Sequence, residues 1–456
     1  MPFPIAYHRK TCAQEPRTNR GGPGKTTGRA HAGATMTAPP GYAVAFFTNT
    51  FYPFISGVAL SIDRYRRHLK ALGDRVVVYA PQYEEPLEDT DEIRRLPAIK
   101  QFLHTDFALP LPVSFKPLLD FRNEDFDVVH VHHPFLLGET GMRLARQHGL
   151  PLVLTYHTQY ERYTHYVPVD DAVAARTIIR HTTDFCNLCD LVIAPTRDIE
   201  CVLRDRGVQS RIEVLPTGVE VDRFAQADPE AARQRLQIDA SAHVLLYVGR
   251  LVTEKNLEYL VRACLRVLEA EQNAHLVIVG DGQNRHALIG LARERRRTAS
   301  RVHFPGQVTG ADLEDLYAAA TLFVFASKTE TQGVVVAEAM AAGTPVVALD
   351  ADGVRGLVRD GLNGRLLPEE ASETDFADAV LDALRDHAER SAWIPAARKT
   401  ARELNMPCLA RQLHELYGSL KLLPKHELKR DTMSFGLIRN YFETVWEQLS
   451  QRFMRI

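Results

Sequence analysis

Residues 322–349 constrain the fold of this chain more than any other stretch. Residues 322–325 are all apolar, a polar loop and an alanine-rich segment follow, and a second apolar run begins at Val346. Short apolar runs of this kind are typical of strands that are buried on both faces of a parallel sheet. The order strand, loop, helix and strand therefore predicts a βαβ unit.

Two carboxylates stand in this stretch at positions suited to a ligand. Glu330 falls in the loop after the first strand, and Glu338 follows eight residues later in the first turns of the helix. Open α/β sheets bind ligands beyond the carboxyl ends of their strands. Both carboxylates can accept hydrogen bonds from sugar hydroxyls, and Gly333 lets backbone N–H groups approach a phosphate. A solvated loop charge and a helix-end charge are the alternatives that the spacing leaves open.

The same alternation starts at Tyr42, with a strand over 44–48, a helix over 58–72 and a strand over 76–80. Gly57 stands where the loop meets the helix, so either a phosphate contact or a plain turn explains it. The Gly-x-Gly-x-x-Gly pattern of dinucleotide-binding enzymes is missing here, which disfavours a nicotinamide dehydrogenase.

A second pair of candidate residues follows the strand predicted at 244–248. Arg250 can bind two oxygens with its planar guanidinium, and Lys255 adds a mobile point charge. Together they suit a diphosphate, although two solvated loop cations would have the same sequence.

The length of 456 residues suggests two domains with additional tails. The predicted architecture is α/β, with two doubly wound, Rossmann-like domains that face each other across a cleft able to hold a nucleotide-sugar. The predicted parts are a disordered tail over 1–38, an acceptor-side domain over 39–216, a nucleotide-sugar-binding domain over 217–430, and an amphipathic helix over 431–456 that packs back on the first domain.

Composition excludes several classes of function. The formal net charge of -2 gives no general attraction to nucleic acid, and no apolar run approaches eighteen residues. Six cysteines in a long chain without a secretory signal pattern indicate reduced thiols in the cytoplasm. His130, His132 and His133 lack a carboxylate or cysteine spaced to complete a metal site, which favours histidines at a strand end.

From about Tyr42 to the C-terminus the chain resembles the family-4 retaining glycosyltransferases of GT-B fold. The motifs that carry the resemblance are Gly57-Val58, His157-Thr158, Pro216-Thr217-Gly218-Val219 with Phe224, Val248-Gly249-Arg250-Leu251 with Glu254-Lys255-Asn256, Val279-Gly280-Asp281-Gly282, and Glu330 and Glu338 with Ala339-Met340-Ala341 after them. Where the family often has Gly-Gly, this chain has Ser56-Gly57.

The resemblance implies roles for individual residues. It implies a catalytic set of His157, Glu330, Arg250 and Lys255, with His157 beside the anomeric carbon of the donor sugar. It implies donor contacts from Gly57, Arg250, Lys255, Glu330, Gly333, Val334 and Glu338, in which the cations hold the diphosphate, Glu338 binds the ribose and Glu330 the sugar. Front-face substitution with retention would need neither a metal nor another cofactor.

The acceptor is predicted from residues 156–166, which are similar to the corresponding stretch of bacterial diacylglycerol glucosyltransferases. This similarity implies transfer of a hexose from UDP-glucose or UDP-galactose to diacylglycerol, giving an α-glycolipid, with Tyr160, Tyr163 and His165 near the acceptor. It also implies a peripheral membrane enzyme on the cytoplasmic, inner face of the cell membrane. A basic helix with Arg64, Arg66, Arg67 and Lys70 suits anionic lipid, and a solvated helix face is the alternative that the sequence leaves open.

Three other functions share some or all of these features. A family-4 enzyme acting on phosphatidylinositol or a polysaccharide precursor would have the same donor motifs. A GT-B sugar-nucleotide epimerase would lack a reason for the Glu330 to Met340 signature. A non-catalytic nucleotide-sugar binder would be expected to have lost His157 or Lys255, and both are present.

Overall fold

The computed structural model describes residues 41–83, 90–99, 109–110, 120–162 and 171–422. The tail over 1–38, the helix over 431–456, Tyr163 and His165 lie outside the described residues, so the expectations for them stay predictions.

The first half of the chain forms a seven-stranded sheet in which all neighbouring strands are parallel. Its strand order is β3-β2-β1-β6-β7-β8-β9. The strands are β1 Ala43–Phe47, β2 Arg75–Pro81, β3 Ile93–Leu96, β6 Val128–Val131, β7 Leu152–Thr155, β8 Leu191–Ala194 and β9 Ile212–Val214, and a separate antiparallel pair joins β4 Ala98–Ile99 to β5 Leu109–Pro110. The helices are α1 Gly57–Ala71, α2 Leu137–His148, α3 Asp171–Asn187 and α4 Arg197–Asp205.

The second half forms a six-stranded parallel sheet with the order β12-β11-β10-β13-β14-β15. The strands are β10 His243–Val248, β11 Ala274–Val279, β12 Val302–Gly306, β13 Leu322–Phe325, β14 Val346–Leu349 and β15 Gly364–Leu367. The helices are α5 Pro229–Leu236, α6 Leu257–Ala270, α7 Arg285–Glu294, α8 Ala311–Ala319, α9 Val334–Ala342, α10 Asp352–Arg355, α11 Glu373–Arg385, α12 His387–Glu403 and α13 Met406–Lys421.

Both strand orders confirm the predicted doubly wound α/β fold. In each sheet the order reverses beside the first strand, between β1 and β6 and between β10 and β13. Doubly wound sheets bind ligands at such a reversal, outside the carboxyl ends of the strands. The loops with Gly57, with Arg250 and Lys255, and with Glu330 follow β1, β10 and β13, so all three begin at a reversal.

Local sequence explains where several helices begin. Ser56 caps α1, because its hydroxyl accepts a hydrogen bond from the Ala59 N–H (3.1 Å), and Thr196 caps α4 in the same way. Gly149 ends α2 in the left-handed conformation, with φ of 63°, which glycine adopts without strain. These local signals mark where the helices begin and end.

The last described helix, α13, packs on the first sheet although the predicted second domain extends to residue 430. Its buried side chains share a core with those of β1 and α1, and they are Met406, Leu409, Ala410, Leu413, Tyr417 and Leu420. The chain therefore crosses between the halves twice. The two crossings touch, because Val219 N donates to Leu404 O (2.8 Å) and Met406 N donates to Val219 O (3.0 Å).

Among the described residues, no helix is both long and apolar enough to cross a membrane.

Candidate functional site

The loops at the carboxyl ends of the two sheets meet, and the loop after β13 makes most of the contacts. Gln332 exchanges two hydrogen bonds of 2.6 Å with the backbone of Thr217, to its N–H and its carbonyl. The Thr331 hydroxyl donates to the carbonyl of His157 (2.8 Å), and Thr196 donates to the carbonyl of Thr331 (3.2 Å). The loop that carries Glu330 is therefore bonded to two segments of the first half and to the crossing between the halves, which the sequence did not reveal.

Lys255 and Glu330 form an ion pair in this region. Lys255 ends a short 3-10 turn over Thr253–Lys255, and its ammonium lies 2.6 Å from Glu330 Oε1. Burial alone would raise the pKa of Glu330, but the charge and hydrogen bond of Lys255 outweigh it and hold that pKa below its usual range. Glu330 is therefore ionised at neutral pH. The ammonium has three N–H donors, so it can bind a second anion without releasing the carboxylate.

Arg250 lies beside this pair and keeps 44% of its side chain exposed. Its guanidinium is 3.6 Å from Glu254, which is too long for a strong hydrogen bond. Its loop rests on the turn around Asp281, whose carbonyl accepts a 2.9 Å hydrogen bond from Leu251 N. A Cβ at Gly280 would come within 1.9 Å of the Gly249 carbonyl oxygen, so only glycine allows this approach. The turn therefore supports the loop that carries Arg250.

Gly333 and Val334 lie where α9 begins. Gly333 has φ of 68° and ψ of 51°, a left-handed conformation that strains other residues. A Cβ there would also approach the Gly353 carbonyl oxygen to 3.2 Å. The first N–H groups of a helix have no partner within the helix, and the helix dipole makes this end attractive to an anion.

Glu338 lies on α9 but is neither a solvated charge nor a free ligand. Its side chain is buried, with Oε1 bonded to an Arg64 guanidinium nitrogen and Oε2 accepting from the Tyr317 hydroxyl (3.0 Å). Arg64 also donates to the carbonyl of Gly218 (3.0 Å). Arg64 belongs to α1 in the first half, so this ion pair joins the two halves of the molecule.

Sequence interpretation missed Arg64 as a site residue, because it assigned the residue to a basic helix facing lipid. The structure places Arg64 in the interior of the protein, and the other three cations of the helix also form ion pairs. Arg66 and Lys70 both bond to Glu92, and Arg67 bonds to Glu220 and Asp63 at 3.0 Å each. The helix cations are thus paired within the protein. The available signal was the position of Arg64 between Ile62 and Tyr65, on the buried face of the helix.

His157 belongs to a cluster of four histidines at the carboxyl ends of β6 and β7. Its Nε2 lies 3.0 Å from His132 Nδ1. His133 Nδ1 accepts from Asn49 N (3.2 Å), and His130 is bonded to Thr155 and to a tyrosine of α13 (2.7 Å each). Burial lowers the pKa of His130, His133 and His157 to about 3 and that of His132 well below its usual value. All four rings are therefore neutral at pH 7.

Tyr160 follows His157 and packs among aromatic side chains. Its ring meets Phe135 edge-on at 5.1 Å between centroids, and Tyr156 at 6.4 Å. Nearby, Arg162 donates to the carbonyl of Lys328 (2.9 Å) and to Asp352 (3.2 Å). Arg162, which lies within the predicted acceptor stretch, is therefore bonded to the second half of the chain.

Gly57, the first residue of α1, is exposed. A Cβ built on it would meet nothing within 4 Å. The packing of the described residues therefore does not require glycine at this position, and the space beside it is open to a ligand.

Comparisons with known proteins indicate the family and the fold of this chain. Residues 55–223 match the family model described as Glycosyltransferase Family 4, and residues 228–400 match Glycosyl transferases group 1. The chain is 31% identical over 347 residues to an alpha-monoglucosyldiacylglycerol synthase of Streptococcus pneumoniae. The aligned region covers 75% of this chain and 78% of the relative. It is 32% identical over 390 residues to a GDP-mannose-dependent alpha-mannosyltransferase of Mycobacterium tuberculosis, which covers 84% and 97%. The fold is similar to that of sucrose-phosphate synthase from Thermosynechococcus elongatus, with a TM-score of 0.68, 23% identity, and coverage of 83% and 99%.

Proposed function

The chain belongs to the family 4 glycosyltransferases of GT-B fold, and we propose that it transfers a hexose from a nucleotide-sugar to a lipid acceptor with retention of configuration. The observation that carries the proposal is the set of charges beyond β10 and β13. An ionised carboxylate, a lysine that can bind a second anion and an exposed arginine stand at the strand reversal, beside the beginning of a helix.

In the donor complex, Arg250 and Lys255 bind the diphosphate, and Glu330 accepts hydrogen bonds from the sugar hydroxyls. The helix start at Gly333 and Val334 adds backbone N–H donors, and the open space at Gly57 admits the phosphate from the other side. The positive charges stabilise the negative charge that develops on the leaving phosphate. They take the place of a divalent cation, so the reaction proceeds without a metal or another cofactor.

The reaction breaks the bond between the anomeric carbon and the phosphate oxygen and forms a bond from that carbon to the acceptor oxygen on the same face. The acceptor hydroxyl gives its proton to the departing phosphate. His157 contributes through hydrogen bonds beside the anomeric carbon. It does not act as a cation, because burial lowers its pKa to about 3.

Diacylglycerol is the acceptor that we favour, with UDP-glucose as the donor and UDP-galactose next. The support is the relative from Streptococcus pneumoniae, whose name specifies a glucosyl transfer to diacylglycerol, and the similar stretch at 156–166. The enzyme would work as a peripheral protein at the inner face of the cell membrane. Mannosyl transfer from GDP-mannose is the second candidate, because the mannosyltransferase relative is matched over 97% of its length.

The test is transfer of radiolabelled sugar from UDP-glucose, UDP-galactose and GDP-mannose into lipid vesicles with and without diacylglycerol. We expect diacylglycerol-dependent label in an α-glycolipid, and a loss of about 100-fold in Glu330→Gln. Glu258→Gln is the matched control, because Glu258 is exposed on α6 and, among the described residues, its one ion pair is with Arg262. Label from GDP-mannose alone would select the second candidate. A folded protein that transfers none of the three sugars would refute the proposal.

A further inference from the structure

The buried pair of Arg64 and Glu338 joins the two halves of the molecule at the candidate nucleotide site. The two residues are 274 positions apart, and both are less than a tenth exposed. The Arg64 guanidinium is held at a second point by the carbonyl of Gly218, in the first crossing between the halves. Its position is therefore fixed independently of Glu338.

The burial of Glu338 makes a partner of opposite charge necessary. A carboxylate taken out of water is costly unless it is paired and hydrogen-bonded. Arg64 offsets this cost through its ion pair with Glu338.

The hydrogen bonds that the described residues make to Glu338 leave acceptor sites on both carboxylate oxygens. A carboxylate has two oxygens with about two acceptor sites each. Arg64 takes one site on Oε1 and the Tyr317 hydroxyl takes one on Oε2. One site on each oxygen is then left for a ligand, which is what two neighbouring hydroxyls of a ribose need.

We propose that Arg64 is a positioning residue for the nucleotide. It holds Glu338 in the orientation that binds the ribose 2′ and 3′ hydroxyls. This inference rests on the proposed function, because it takes a nucleoside diphosphate as the ligand of the cleft. It makes the ribose site composite: the carboxylate comes from the second half and the group that orients it from the first. Binding of the ribose thereby favours the arrangement in which the two halves are in contact.

The experiment compares UDP and GDP with their 2′,3′-dideoxy analogues by titration calorimetry in the full chain. Arg64→Gln keeps a hydrogen-bond donor but removes the charge. We expect it to weaken binding of the ribose nucleotide about 10- to 100-fold, and to change binding of the dideoxy analogue by less than about threefold. Arg64→Lys restores the charge and should recover part of the loss.

A second variant keeps the test decisive if Arg64→Gln does not fold. Tyr317→Phe removes the other hydrogen bond to Glu338, and it should also weaken the ribose nucleotide more than the dideoxy analogue.

Four results would overturn the inference. Equal weakening of both nucleotides would make Arg64 a structural residue only, and tighter binding of the ribose nucleotide would make it a competitor of the ribose. Unchanged binding in Arg64→Gln would likewise contradict it, while the proposed function stands. A native protein that binds neither UDP nor GDP would overturn the inference and the proposed function together.

Discussion

The neutral histidines of the first half should make its stability fall steeply in mild acid. The folded protein holds the pKa of His130, His133 and His157 at about 3, whereas the unfolded chain has the ordinary value of 6.5. Between these values the unfolded state binds protons that the folded state does not. The stability that these neutral rings contribute is therefore fully present well above pH 6.5. It is lost as the pH falls from about 6.5 towards 3.

The size of the loss follows from this difference. One pH unit below an unfolded pKa of 6.5, each histidine that stays neutral in the folded state favours unfolding by about 1.4 kcal/mol. Three such residues give about 4 kcal/mol between pH 7.5 and 5.5, and His132 acts in the same direction because its pKa is also lowered. A domain has only about 5–15 kcal/mol of stability in total, so this loss is a large share.

The assay is urea unfolding at pH 7.5, 6.5 and 5.5, followed by circular dichroism. The control variant is His157→Asn, because within the described part of the chain the His157 ring has one hydrogen bond, to His132. The variant should lose about 1.4 kcal/mol less than the native chain between pH 7.5 and 5.5. Equal losses in both proteins, or a native chain equally stable at pH 7.5 and 5.5, would refute the reasoning.

Three further changes test other parts of the site. Gln332→Ala leaves the Thr217 backbone without two buried hydrogen bonds. Urea unfolding should show that the free energy of unfolding falls by about 2–4 kcal/mol. A fall of less than about 1 kcal/mol would mean that water replaces the amide. Gly57→Ala should leave the melting temperature unchanged, because its Cβ meets nothing, and should raise the KM for the nucleotide-sugar; an unchanged KM would remove Gly57 from the donor site. Chelation with EDTA should leave the transfer rate within about twofold, since Arg250 and Lys255 supply the positive charge, and a loss restored by Mg²⁺ would contradict this.

The sequence was sufficient for the fold because the signals for its elements are local. Buried strands appear as short apolar runs, and the alternation of strands and helices predicts parallel sheets. The loops with Lys255 and Glu330 were located for the same reason, since each directly follows a predicted strand. A residue at the carboxyl end of a strand can thus be recognised before its partner is known.

The missed features are contacts between residues far apart in the chain. The helical pattern of α1 shows that Arg64 lies between buried positions, but no local pattern indicates that Glu338 is its partner. The bonds between Gln332 and Thr217 have the same character. Likewise, the apolar face of α13 predicts that the helix packs on something, and only the structure shows that this is the first sheet.

The return of α13 to the first sheet determines when the first half can finish folding during synthesis. Its core remains open until α13 has left the ribosome, about 190 residues after β9. At about 5–20 residues per second, this delay is roughly 10–40 s. The face that α13 will cover, which includes Val44, Phe46 and Val128, stays exposed throughout this interval. An exposed apolar face of this kind favours aggregation until it is covered. A chain that stops before Met406 lacks the helix that covers it.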